Sequence, residues 1–221
     1  MQAIVITGGC GSRLGIHTNK SSIRVYNDSL LEHHVNNLKP FVNRFIIVDG
    51  YYAVDAGNLD SDYIVISNTQ GVVQALAAAL EQIDSQCVMM FGDEFYVNPR
   101  IQNLITEHKN SNSIATIGYC RRYKDSYLIH DTYSIDMNLQ HQVRKVCEKP
   151  TTVYNSLQGT GFAVLNKQFA KYCCTDNFPS AINLAIQDNQ TVKAFDFCKD
   201  YVNVNTLQDL ERLRNLEDKS K

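Results

Sequence analysis

The sequence predicts a three-layer α/β domain built on a mixed sheet with an antiparallel insertion. Three observations carry that expectation. Short apolar runs alternate with helical segments through the first half of the chain, the pattern of βαβ units and parallel pairing. From Tyr123 to Lys149, Tyr, Ile, Val and Thr stand among polar residues with no helical period, which reads as antiparallel strands. A glycine-rich turn follows the first strand directly, and open α/β sheets bind ligands at the carboxyl ends of their strands.

Each element has its own signal. Gln2 to Thr7 is a short apolar strand running into Gly8-Gly9. Leu30 to Leu38 carries apolar residues at helical spacing and is closed by Pro40. Arg44 to Gly50 and Tyr63 to Ile66 read as buried strands, and Val72 to Ile83, rich in Ala and Leu, as a helix. Cys87 to Phe91 is a further strand ending at Gly92-Asp93. Ile101 to His108 reads as helix, Ser113 to Gly118 and Ala163 to Leu165 as strands. Phe169-Ala170 and Leu207 to Leu216 read as helical, and Glu217 to Lys221 as a frayed end. His33 and His34 are expected on a helix flank, and Arg121-Arg122 as a solvated pair.

Composition narrows the function. The 221 residues are 44% hydrophobic and 20% charged, a globular balance with room for a sizeable core. The formal net charge of −2 lacks the basic excess that gripping a nucleic-acid backbone requires, so nucleic acid is not an expected partner. No apolar stretch approaches the roughly 20 residues of a membrane span, and the opening residues lack a charged leader. A cytoplasmic protein is expected. The seven cysteines show no C-x-x-C spacing and read as reduced thiols. The six histidines show no zinc-binding spacing.

The turn Gly8-Gly9-Cys10-Gly11-Ser12-Arg13-Leu14 can cradle an anion. Glycines let the backbone approach closely, and successive outward N–H groups form an anion nest. Arg13 adds a forked cation suited to phosphate, and Lys20 can bring a second. The turn lacks the G-K-S/T of a P-loop and the spacing of the dinucleotide G-x-G-x-x-G.

The stretch A-I-V-I-T-G-G-C-G-S-R-L resembles the opening of the sugar-phosphate nucleotidyltransferases, and Lys20 to His33 runs parallel to their K-P-L-L-P-V-N-G-K-P-L-L-E-H. Gln70 to Leu76 resembles L-G-T-A-G-A-L, Phe91-Gly92-Asp93 resembles L-x-G-D, and Glu148-Lys149-Pro150 with Gly159 to Phe162 resembles the acceptor-site pair of segments. Tyr201 to Leu210 resembles W-x-D-I-G-T-P-E-D-L, so the likeness runs in order along almost the whole chain. It implies a Rossmann-like, GT-A-like αβα fold in one domain over 1–221. Residues 1–120 would bind nucleotide, 121–200 the acceptor, and 201–221 would supply a metal segment and helix.

The resemblance also implies roles. A phosphate oxygen of the acceptor attacks the α-phosphorus of a nucleoside triphosphate and pyrophosphate leaves, with no protein nucleophile. Arg13 and Lys20 would be catalytic, neutralising phosphate charge. Gly8, Gly9, Gly11, Ser12, Asn68, Gly71 and Gln74 would bind the nucleotide. Glu148, Lys149 and Gly161 would bind the acceptor, and Asp93 with Asn203 would hold Mg²⁺. Glu94 is expected to support Asp93 or to face solvent. Asn203 replaces the usual second metal-binding Asp, in an N-x-N-T segment like that of molybdenum-cofactor guanylyltransferases; Asn19 and Ser21 replace the prolines flanking the lysine.

The short spacing from Arg13 to Lys20, shared with a cytidylyltransferase, favours CTP as donor. The E-K-P segment shared with heptose-phosphate guanylyltransferases keeps GTP as the alternative. Acceptors in view are a sugar 1-phosphate, a phosphorylated alcohol or a phosphonate. The resemblance allows a homodimer. A nucleotide-sugar glycosyltransferase would show D-x-D where this chain has Gly92-Asp93-Glu94. A non-catalytic sensing domain would draw support from Asn19, Ser21 and Asn203.

Overall fold

The computed structural model describes residues 1–9, 11, 14–25, 27–56, 59–68, 70–121, 132–150 and 157–218. The elements run β1 (Gln2–Ile6), a 3₁₀ turn (Lys20–Ser22), β2 (Arg24–Val25), β3 (Asp28–Ser29), α1 (Leu30–Leu38), β4 (Phe45–Asp49) and β5 (Tyr63–Ser67). Then come α2 (Val72–Glu81), β6 (Gln86–Phe91), β7 (Glu94–Val97), α3 (Ile101–Asn110), β8 (Ala115–Arg121), β9 (Tyr133–Met137), β10 (Val143–Glu148) and β11 (Leu157–Asn166). A second 3₁₀ segment (Lys167–Tyr172), α4 (Phe178–Gln187), β12 (Val192–Cys198), β13 (Asp200–Asn203) and α5 (Leu207–Asp218) complete the chain.

The main sheet has the order β10-β9-β11-β6-β1-β4-β5, with β8 joined to β11 and β12. The strands β6, β1, β4 and β5 pair in parallel, while β11 pairs antiparallel with β6, β8 and β9, and β10 with β9. The mixed α/β class and the antiparallel strands of the middle segment are both present. Arg122 and the start of that segment, Tyr123 to Asp131, lie outside the described residues.

Strand alternation sets the three layers. On β1, Ile4 and Ile6 point into one core with Leu76 and Leu80 of α2 and Ile182 of α4. Ala3 and Val5 point the other way, to Val35 and Leu38 of α1 and Leu104 of α3. With both faces covered, β1 and β4 can carry apolar runs, Ala3 to Ile6 and Phe45 to Val48, with a polar residue only at one end of each. A third, smaller cluster joins Phe95 of β7 and Val202 of β13 to Leu213 of α5.

The Ser29 cap starts α1 as a capping box with Glu32, and these hydrogen bonds hold the Glu32 carboxyl below its usual pKa. The α4 helix was not expected from the sequence, although Asn177 caps it through Ser180 N–H and a proline sits in its first turn. The expected helix at Phe169-Ala170 is a 3₁₀ segment. Cys87, Cys120, Cys147, Cys173, Cys174 and Cys198 are free thiols. Among the described residues no helix is long and apolar enough to cross a membrane.

Candidate active site

The carboxyl ends of β6, β1, β4 and β5 border a cavity of about 600 Å³. Two of its lining residues, Asp93 and Asn205, hold Lys20, which lies behind the cavity wall. This lysine is only 7% exposed. Its Nζ donates to Asp93 Oδ2 at 3.1 Å and to Asn205 Oδ1 at 2.6 Å. The Asn205 amide in turn donates to Asn203 Oδ1 at 2.7 Å. A cation, a carboxylate and two amides, separated by up to 185 residues in sequence, thus form one hydrogen-bonded chain.

Local structure explains how they meet. The chain leaves β6 through Gly92 and turns at Asp93 into β7, which pairs antiparallel with β13 so that Glu94 faces Asn203. The Val204 N–H donates to the Asp93 carbonyl at 2.8 Å, locking the two segments together. Lys20 begins a 3₁₀ turn held by Asn19, whose Oδ1 accepts from the Ser21 N–H and hydroxyl at 3.0 and 2.8 Å. The Asn19 amide donates to the Tyr52 carbonyl at 3.0 Å. Asn19 and Ser21, which replace the prolines of the familiar pattern, therefore build a buried clasp behind Lys20.

Gly9 makes room for the Lys20 side chain. A side chain at Gly9 would meet the Lys20 Cδ at 3.1 Å and Asp93 Oδ2 at 3.6 Å. The requirement is for empty space, since the positive φ angles in this region belong to Gly11 and Gly15. Gly50 serves the neighbouring strand in the same way: its added Cβ would lie 2.6 Å from the Gly8 Cα.

Gly8, Gly9, Asn68, Gly71, Asp93, Lys149 and Asn203 all line the large cavity. Arg13 and Ser12 lie outside the described residues. Gln74 is not among the lining residues; its amide nitrogen reaches the Thr175 carbonyl at 3.5 Å. Residues that sequence reasoning passed over also line the cavity: Asp49, Tyr51, Tyr52 and Asn205. Tyr51 is 76% exposed and meets Tyr52 edge-on, with ring centroids 5.2 Å apart.

A second cavity of about 210 Å³ adjoins the first and shares Val72, Phe91 and Asn203 with it. Three carboxylates line it: Glu94, Glu148 and Asp176. Of the two expectations for Glu94, the solvent-facing one is excluded. The residue is 3% exposed, and its Oε2 accepts the Gly161 N–H at 2.9 Å. The register of β7 against β13 turns it inward. Gly161 lines neither cavity, because the Phe91 ring and Glu94 fill the space above its Cα; Gly159 lines the second cavity instead. Lys149 opens onto the larger cavity and Glu148 onto the smaller, so the expected acceptor pair is split between them.

His34 lies beneath this machinery rather than on an open helix flank. It is buried on α1 against the backbone of Gly92 and Glu94, and burial pushes its imidazole pKa down to about 3. The unfolded chain binds this proton below about pH 6.5 and the folded protein does not. Stability should therefore fall as pH drops through that value, by about 2 kcal/mol from this group at pH 5. Urea unfolding of His34→Leu between pH 7 and 5 should show a flatter acid slope than wild type. An unchanged slope would place the acid sensitivity elsewhere.

The site's oxygen donors fit a hard divalent cation. Asp93 supplies one carboxylate, 23% exposed, and Asn203 an amide oxygen. A Mg²⁺ ion typically takes one or two protein oxygens and fills its remaining positions with water and phosphate. Among the described residues no group of three or more His, Cys, Asp or Glu forms a preassembled metal cage.

The fold recurs in nucleotide-handling proteins. The inositol-1-phosphate CTP transferase from T. maritima is 19% identical, with a TM-score of 0.82 over 99% of this chain and 95% of that one. HddC from Yersinia pseudotuberculosis is 17% identical, with a TM-score of 0.77 over 100% and 99%. A UTP-bound UGPase from Acinetobacter baumannii is 15% identical, with a TM-score of 0.80 over 97% and 92%. At these identities the likeness establishes the fold. The comparison with curated proteins gives no match. Residues 3–153, which hold the glycine turn, Lys20, Asp93 and Glu148, match the MobA-like NTP transferase domain, and the chain belongs to that family.

Proposed function

We propose that this nucleotidyltransferase moves a nucleoside monophosphate from a nucleoside triphosphate to a phosphorylated small molecule, such as a sugar 1-phosphate, and releases pyrophosphate. CTP is the favoured donor and GTP the alternative. The observation that carries the reading is Lys20, buried and bonded to Asp93 and Asn205, which line a cavity that adjoins a second, carboxylate-lined one. Two joined cavities suit two substrates, the nucleotide over residues 1–120 and the acceptor over 121–200.

An oxygen of the acceptor phosphate attacks the α-phosphorus, the bond to the β-phosphate oxygen breaks, and pyrophosphate departs with the electron pair. Both reactants are anions, so the protein's task is to hold them in line and offset their repulsion. Lys20 places its ammonium between the phosphates, held there by Asn205. Arg13 binds the departing phosphates, and the Gly8-Gly9 backbone approaches the triphosphate. Lys149 contributes a further cation at the cavity wall. Glu148 and Glu94 accept hydrogen bonds from the acceptor's hydroxyls. Asp93 and Asn203 would hold Mg²⁺, which supplies charge neutralisation at the phosphates.

A thermal-shift panel of CTP, GTP, UTP, dTTP and ATP with Mg²⁺ tests the nucleotide reading. A ligand at 100 times its dissociation constant adds about 2.7 kcal/mol, which is a rise of several degrees for a domain of this size. No shift with any of the five would contradict it.

A further inference from the structure

Asp49 ends β4 and lines the large cavity, yet it has no place in the chemistry described above. It is 5% exposed, and its Oδ1 is buried with no hydrogen-bond partner. Its backbone is satisfied, because the Asn68 N–H donates to its carbonyl at 3.0 Å. The carboxylate therefore stands apart from the needs of the sheet. A carboxylate oxygen withdrawn from water without a donor is costly, and such groups in folded proteins call for an explanation. The other carboxylate lining this cavity, Asp93, is paired with Lys20.

Position says which part of a nucleotide would supply the donor. Across the sheet the order is β6, β1, β4, β5. Asp93 follows the first, the glycine turn the second, Asp49 ends the third and Asn68 follows the fourth. Strands lie roughly 4.8 Å apart, so Asp49 sits about two strand spacings from the Asp93 end, where Lys20 gathers phosphates. A carboxylate repels phosphate, so Asp49 belongs to the nucleoside. Around Asp49 the cavity is lined by Val48, Tyr51 and Tyr52, with Ala75 and Val72 of α2 and the polar Asn68 also on its wall. Aromatic and aliphatic lining residues beside a carboxylate suit a base rather than a ribose.

Resting on the nucleotide reading above, we infer that Asp49 determines base specificity, accepting a hydrogen bond from the exocyclic amino group of the base. Cytosine, guanine and adenine carry such a donor. Uracil and thymine present the O4 oxygen where cytosine presents N4–H₂, and that oxygen would be set against the carboxylate. A charge-assisted hydrogen bond of this kind is worth about 10- to 100-fold in affinity.

The test is titration calorimetry of wild-type protein and Asp49→Asn with the five triphosphates and Mg²⁺. An asparagine keeps the size of the side chain and can donate as well as accept. Wild type is expected to bind at least one of CTP, GTP and ATP 10-fold or more tighter than UTP and dTTP. Asp49→Asn is expected to shrink that gap to a few-fold, chiefly by strengthening UTP and dTTP. Without nucleotide, the variant should unfold at the same temperature as wild type or higher, since an unpaired buried charge has been removed. Equal wild-type affinity for UTP and CTP, with no preference for GTP or ATP, would overturn the inference. A uniform loss across all five would assign Asp49 to the ribose and overturn it too. A marked fall in the variant's own melting temperature would make the carboxylate structural. If no triphosphate binds wild type, the nucleotide reading itself falls and this inference with it.

Discussion

Lys20→Met should lower kcat by about 10²- to 10³-fold, the loss seen when a preorganised transition-state contact is removed. The methionine fills the same channel beside Gly9 but carries no charge. Lys20 is held from two sides, by Asp93 and Asn205, so its ammonium is already placed before substrates arrive. Two anionic reactants would then approach each other without their central counter-charge. Folding should survive, because the Asp93 side chain is 23% exposed and water can replace the lost donor. Lys20→Arg should also be impaired, since a planar fork does not reproduce a compact point charge. Steady-state kinetics, with circular dichroism to confirm folding, would check both variants. A folded Lys20→Met with near-wild-type kcat would remove Lys20 from the mechanism.

Asp93→Asn should produce the second large effect. The substitution keeps the side chain's size and removes the charge that is proposed to hold Mg²⁺ and that pairs with Lys20. The Mg²⁺ concentration giving half-maximal rate should rise by more than the roughly 10- to 100-fold typical of losing an outer hydrogen-bond partner of a metal ligand. With Asn203 as the other protein ligand, the variant would hold the ion through two neutral amides. An unchanged Mg²⁺ titration would mean that the metal sits elsewhere.

The residues proposed for these roles stood out in the sequence through short, local signals and the family resemblance they carry. A glycine turn after an apolar strand, a lysine soon after it, and an aspartate closing a later strand each need only a few neighbouring residues. The βαβ half followed for the same reason, as alternation and helical period are local. What escaped depends on pairing between distant segments. Glu94 turns inward because β7 pairs with β13. Asn205 matters because it bridges Lys20 and Asn203. His34 is neutral because α1 packs against the Gly92–Glu94 backbone. Asp49 reads in sequence as the end of an apolar strand, and only the fold reveals that its carboxylate has no partner. The α4 helix did have a local signal, Asn177 followed by Pro179, lost within a stretch that otherwise reads as loop.

Asn19, Ser21 and Asn203, the three departures that favoured a sensing domain, look different once folded. Asn19 and Ser21 clasp the turn that carries Lys20, and Asn203 is tied through Asn205 to the same lysine. Each departure is tied by hydrogen bonds to the turn or the partner that fixes Lys20.

Pyrophosphate release is the most direct test of transfer. Purified protein would be mixed with Mg²⁺, one of the five triphosphates and one of a panel of sugar 1-phosphates and phosphorylated alcohols, and pyrophosphate would be measured. The account predicts release that requires one triphosphate and one acceptor together, with one nucleotidyl product formed per pyrophosphate. Triphosphate binding with no release for any acceptor, or release that ignores the acceptor, would contradict it.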